Sequence, residues 1–333
     1  MTDYRLESNR YLYFDKLYEL NLTQGIMPGL VYLYMPALAK RYNWDNDQKL
    51  WFAFLNGLTQ NPITSLRLMT QLPTTPPASA QLVRFTDWFN SSWDTLQFDT
   101  DRRYQKRDTV HAIRTYAELV EEHGGQEKML TGKTYQELWS LVRNEYYSFG
   151  RLSSFSYLEY VYLNGFGADC DDLLFEDKSG SKSHRNGMLF LLGKDRLVWD
   201  KRMNNGFSGT YEKFSEMCAW LNDESYDFLN GFREAHPRMK NVNKFTLESN
   251  LCTFKNHFFG HRYPGVYADM AWERIEWADA RGQQEFTEVF KDIRTALPEW
   301  LRNECSNGER TSIKQRAKQF PETGMPYRGE FFL

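Results

Sequence analysis

The sequence predicts an all-α, multi-helix globular protein, and three observations carry that reading. Apolar residues recur at helical spacing through most of the 333 residues. Val and Ile are sparse, with no convincing run of alternating residues that would make a strand. Aromatic residues form 16% of the chain and hydrophobic residues 41%, enough for a sizeable core and too much for disorder over most of the length.

Taken in order, residues 6–21, 26–42, 46–58 and 62–71 read as consecutive helices, with turn signals at Gly25 and Asn61-Pro62. Leu72-Pro73-Thr74-Thr75-Pro76-Pro77 is the clearest breaker, because proline lacks the N–H that would continue a helix. Helices resume at 78–92, 106–122, 134–148 and 152–163. Residues 165–207 are rich in Gly, Asp, Ser and Asn and read as loops with short helices, leaving room for a small hairpin near 165–200. Further helices follow at 209–221, 223–234, 243–258, 265–281, 283–293 and 297–304, and the tail reads as extended. This organises the chain as an N-terminal helical region (1–130), a helical catalytic core (131–305) and a C-terminal tail (306–333) packed on that core.

Composition narrows the setting. No segment approaches the roughly 20 apolar residues that cross a bilayer, so no membrane partner is expected. Met1 to Glu7 lacks a basic segment leading into an apolar one, so no secretory signal is expected. Cys170, Cys218, Cys252 and Cys305 lie far apart, which argues against a zinc knuckle or disulfide scaffold and for a cytoplasmic setting. A net charge of −3 gives no global basic field, although 101–107 and 178–202 are locally basic.

Three stretches carry the candidate chemistry. The first is the loop from Asp177 to Gly187, which precedes the apolar run Met188–Leu192. Small residues let backbone N–H groups converge, and a helix N-terminus adds the positive end of its dipole. Ser181, Lys182, Ser183, His184, Arg185 and Asn186 then suit a phosphate or pyrophosphate; the competing reading is a polar connector with a Ser cap. The Walker spacing is absent, which disfavours an ordinary P-loop nucleotidase.

The second stretch, Phe149 to Tyr160, opens a helix that is apolar or aromatic on nearly every face. Ser153 or Ser154 is placed to cap it. Glu159 is conspicuous there, because a buried carboxylate needs a partner, and Arg151 is either that partner or a second phosphate ligand. The third is the helix through Glu248, Cys252 and Lys255, which share a stripe at i, i+4, i+7 beside the apolar stripe of Leu247, Leu251, Phe254 and Phe258. Arg262, Tyr263 and Asp269 follow. The plainer alternative makes Cys252 a small buried hydrophobe and Glu248–Lys255 a surface pair. With no H-E-x-x-H, EF-hand or Cys/His cluster, no metal cage is expected.

GRLSSFSYLEY (150–160), LLFEDKSGSKSHRNGM (173–188), LESNLCTFK (247–255) and HRYPGVYADM (261–270) together resemble the amino-acid:DNA transferases of bacteriophages with hypermodified thymines, also called α-glutamyl/putrescinyl thymine pyrophosphorylases. The resemblance runs from about residue 134 to 281 and extends to the helical domain of phage 5-hydroxymethyluracil DNA kinases. It implies that an amino acid or polyamine displaces pyrophosphate from 5-pyrophosphoryloxymethyluracil in duplex DNA, in the host cytoplasm if the chain is of phage origin. On that reading Arg151 and residues 181–186 hold pyrophosphate, and Glu248 or Asp269 is the general base with His184 assisting. Ser153, Glu159, Asp177, Cys252, Lys255, Arg262 and Tyr263 then line the substrate, and the target base is flipped out of the duplex. Transient addition of Cys252 to the pyrimidine is the sharper variant. The sequence demands no cofactor, with Mg²⁺ recruited through phosphate oxygens as the one expected option. The alternatives are a non-catalytic DNA-binding module and a helical DNA glycosylase, the latter lacking a recognisable helix-hairpin-helix loop.

Overall fold

Asn61 shows how local sequence sets the helices. Its side chain accepts the Thr64 N–H at 3.0 Å, and Pro62 occupies the first helical position, where no donor is needed. The computed structural model describes residues 6–73, 75, 77–176, 183–197, 211–302 and 312–323. Its longer helices are α1 (Arg10–Gln24), α2 (Val31–Arg41), α3 (Asn46–Thr59), α4 (Pro62–Gln71), α5 (Ser79–Ser91), α6 (Thr109–Glu122), α7 (Gln126–Leu130) and α8 (Tyr135–Glu145). They continue with α9 (Arg151–Leu163), α10 (Ser183–Leu191), α11 (Tyr211–Ala235), α12 (Lys244–Phe258), α13 (Val266–Asp279), α14 (Glu288–Ala296) and α15 (Ile313–Thr323). Among the described residues there is no strand, so the protein is all-α.

Several expectations need correction. In the stretch where a hairpin had room, residues 165–176 are irregular and 183–191 are helical, so no hairpin exists among the described residues. The apolar run Met188–Leu191 is buried on a helix instead, with Gly187 setting its approach to a neighbour. Helix α11 runs unbroken through 221–223, where no Gly or Pro interrupts it and Trp220 Nε1 donates to Glu224 Oε1 at 2.9 Å. The tail is not wholly extended: Ser312 accepts the Gln315 N–H at 3.3 Å and opens α15, which buries Arg316, Ala317 and Phe320. Neither Ser153 nor Ser154 caps α9, because Gly150 takes that position and the Ser154 hydroxyl donates back to its carbonyl at 2.9 Å.

Contacts divide the chain into two compact units, Met1–Tyr32 with Cys170–Trp272 and Arg294–Leu333, and Leu33–Asp169 with Glu273–Ile293. The core of the first is aromatic. Phe14 meets Phe254 at 4.9 Å, Tyr18 meets Phe232 at 4.8 Å and Phe190 meets Phe258 at 5.0 Å, ring centroid to centroid. Polar ties fix the register of α1 on α12, with Tyr18 Oη 2.8 Å from Thr246 Oγ1 and Asn21 donating to Asn250 at 2.6 Å. The second unit centres on Phe54 stacked against Tyr116, and on the Tyr146–Tyr157 hydroxyl pair at 3.1 Å. A groove of about 700 Å³ in that unit, lined by Arg41, Tyr42, Trp44 and Phe286 among others, contains none of the candidate site residues.

Candidate active site

Two helices of the first unit build the site. The side chain of Asn243 accepts the Thr246 N–H at 3.0 Å and fixes where α12 begins, so Glu248 and Cys252 fall one turn apart on one face. Helix α10 lies against that face in backbone contact: a Cβ on Gly187 would sit 2.1 Å from the Leu251 carbonyl oxygen. Only glycine permits that approach. It brings His184, on the first turn of α10, to α12, with Nδ1 3.8 Å from Glu248 Oε1.

Residues 173–175 brace this turn. The Leu173 carbonyl accepts from His184 Nε2 at 3.1 Å, and the Phe175 carbonyl accepts from Arg185 Nη1 at 2.9 Å. Phe175 stacks on the imidazole with centroids 5.3 Å apart. Between them Leu174 holds a positive φ of 51°, its N–H donating to Asp172 Oδ1 at 2.9 Å. A carbonyl can only accept, so Nε2 carries a proton, and Nδ1 is the ring atom that faces Glu248.

Glu248 is 3% exposed and His184 1%, whereas Cys252 is half-buried. The Cys252 thiol donates to Glu248 Oε1 at 3.2 Å. Glu248 is therefore no surface partner of Lys255, and Cys252 is no sealed core residue. His184, Glu248 and Cys252 place one donor atom each within 4.8 Å of one another, a nitrogen, oxygen and sulfur set that can hold a divalent metal. The sequence patterns missed this group because its members come from helices far apart in the chain.

Near Cys252 lies Tyr267, whose hydroxyl is pushed up by burial despite the Arg262 guanidinium, which donates to it. His257 is buried nearby with neither ring nitrogen hydrogen-bonded, and burial together with Arg262 lowers it to about 3. Asp269 is fully engaged elsewhere: Arg316 donates to Oδ2 at 2.8 Å and Tyr263 at 2.5 Å, all three buried. Arg316 and Tyr267 were not singled out from the sequence; the amphipathic pattern of 313–320 was the available signal for the first.

The remaining candidates divide plainly. Ser183 is exposed and Asn186 half-buried on α10, while Arg185 is fully buried with its guanidinium 5.0 Å from the Phe214 ring centroid. Lys255 is half-buried, its ammonium 5.7 Å from the Phe190 ring. Arg151, Ser153 and Glu159 belong to the second unit, where all three are buried on α9. Asp177, Ser181 and Lys182 lie outside the described residues.

The sequence model of the amino acid:DNA transferase family matches residues 32–263. The chain belongs to that family. It is thus a transferase with DNA and an amino acid as substrates. It is also 27% identical over 301 residues to the serinyltransferase of Salmonella phage ViI, covering 84% of this chain and 71% of that protein. No solved structure matches the chain. No described helix of this transferase is long and apolar enough to cross a membrane.

Proposed function

We propose that this transferase displaces pyrophosphate from 5-pyrophosphoryloxymethyluracil in duplex DNA and forms a C–N bond at the 5-methylene carbon. The observation that carries this reading is the buried Glu248 carboxylate lying between the His184 imidazole and the Cys252 thiol. An incoming amine must lose a proton, and the pair of Glu248 and His184 can take it. Glu248 is a better base than Asp269, whose carboxylate is already committed to Arg316 and Tyr263.

The exposed Ser183 at the start of α10 supports an anion at that end, with Ser181, Lys182 and Asn186 as the further pyrophosphate ligands. Mg²⁺ can join through phosphate oxygens. The target base is flipped from the duplex to reach the buried group. The name of the Salmonella phage relative makes serine the first donor to test, and polyamines the second arm.

The test treats pyrophosphorylated DNA with the protein and pooled amino acids, followed by mass spectrometry of the nucleosides and a pyrophosphate assay. The expected result is an amino-acid adduct with release of pyrophosphate, reduced about 10²–10⁴-fold in Glu248→Gln. No adduct with any amino acid or polyamine, or full activity in Glu248→Gln, overturns the reading.

A further inference from the structure

We propose that Cys252 is the nucleophile of this reaction, adding through Sγ to C6 of the target pyrimidine and leaving again before product release. The inference rests on the transferase reading above. Three observations lead to it. Cys252 is the most exposed member of its group, half-buried where Glu248 and His184 are buried, which leaves it the member most open to an entering base. Its thiol already donates to Glu248, so the acceptor for its proton is in place. Tyr267, whose hydroxyl accepts from the Arg262 guanidinium, lies near enough to the sulfur to feel its charge.

The chemistry of the base explains why a thiol is useful there. Pyrophosphate leaves a methylene attached to C5, and the C5=C6 double bond holds the electrons that would expel it. When Glu248 takes the thiol proton, sulfur bonds to C6 and the C5=C6 pair moves onto the C4 carbonyl oxygen as an enolate. Collapse of the enolate restores C4=O, forms an exocyclic C5=CH₂ bond and breaks the C–O bond, the electron pair departing with pyrophosphate. The amine then adds to CH₂, regenerating the enolate, and gives its proton to His184 Nδ1. A second collapse restores C5=C6 and breaks the C6–S bond, and sulfur recovers its proton from Glu248. One C–O bond has become one C–N bond, one proton is released, and nothing is oxidised or reduced.

Two measurements test this on the full-length protein with DNA carrying 5-pyrophosphoryloxymethyluracil. Without an amine donor, the wild type should release pyrophosphate and form a complex that survives denaturing electrophoresis, with the intact mass of protein plus DNA less pyrophosphate. Cys252→Ser should form none, and should lose more than about 10²-fold in transfer while keeping its circular dichroism spectrum. Deuterium at C6 should give an inverse secondary isotope effect on kcat/KM, because C6 becomes tetrahedral; this stands even if the adduct is too short-lived to isolate. Chelation of zinc-like metals, with Mg²⁺ kept in excess, should leave adduct yield unchanged.

Transfer by the wild type with a unit isotope effect and an active Cys252→Ser variant overturns the proposal while the transferase reading stands. So does loss of activity on removal of a stoichiometric thiolate-binding metal such as zinc, with Mg²⁺ still in excess, which makes Cys252 a metal ligand. No pyrophosphate release with any donor removes the transferase reading and the proposal with it.

Discussion

Gly187→Ala tests whether the approach of α10 to α12 creates the site. The added Cβ would lie 2.1 Å from the Leu251 carbonyl oxygen and 2.8 Å from its carbon. An unstrained C···O approach needs about 3.3 Å, so one backbone must retreat by roughly 1.2 Å. Neither partner can relieve this by changing rotamer. Overpacking costs about 1–3 kcal/mol, and a backbone obstacle puts this site at the upper end. Alanine recovers about 1 kcal/mol of helix propensity over glycine, leaving a net loss of about 2 kcal/mol. At about 2–4 °C per kcal/mol, Tm should fall by about 4–8 °C. The retreat also widens the 3.8 Å gap between His184 and Glu248. A misplacement of about 1 Å costs on the order of 10²-fold in rate, to be read as pyrophosphate release on modified DNA. Gly231→Ala on α11 is the control: its Cβ would meet nothing within 4 Å, and it should stabilise by about 0.5–1 kcal/mol with activity unchanged. A Gly187→Ala protein with wild-type Tm and wild-type rate would refute the argument.

Arg316→Met should destabilise the protein by about 3–5 kcal/mol in urea unfolding, since it leaves the buried Asp269 carboxylate without its cation. Adding Asp269→Asn should recover most of that loss, and a double variant no more stable than the single would show the pair is not the cause. His257 makes the protein acid-sensitive. Its folded value of about 3 lies below the ordinary 6.5, so below pH 6.5 the unfolded chain binds a proton that the native state refuses. Its stabilising contribution is complete above 6.5 and is lost as pH falls toward 3, reaching a loss of about 2 kcal/mol at pH 5. His257→Phe should flatten that limb of the stability–pH curve, and an unchanged slope between pH 6.5 and 5 would count against the buried neutral imidazole.

Much of the helical framework is legible in local sequence because its signals act within one turn. Asp45 with Gln48, Asn61 with Pro62, and Thr134 with Glu137 each close a cap between neighbours, and the helices start where those residues say. Where reading failed, the deciding contact was distant. The run 188–191 has the same apolar character in a strand as in a buried helix, and its packing against α12 settles the matter. Residues 313–320 read as tail because Arg316 finds its buried carboxylate in Asp269, 47 positions away.

The candidate site obeys the same division. The i, i+4 spacing of Glu248 and Cys252 is visible on one helix, which is why that stripe stood out. Its meaning is open in the sequence, since Glu248 and Lys255, seven positions apart on the same stripe, also read as a surface pair. What decides between them is Gly187, more than 60 residues earlier, whose missing side chain lets α10 cover Glu248 and set His184 beside it. Burial then removes the water that would have satisfied the carboxylate, and the Cys252 thiol donates to it. A polar loop followed by a glycine was the sequence trace of that event. The residues with anion chemistry in the loop are legible locally, whereas Gly187 gains its meaning from the Leu251 carbonyl of α12.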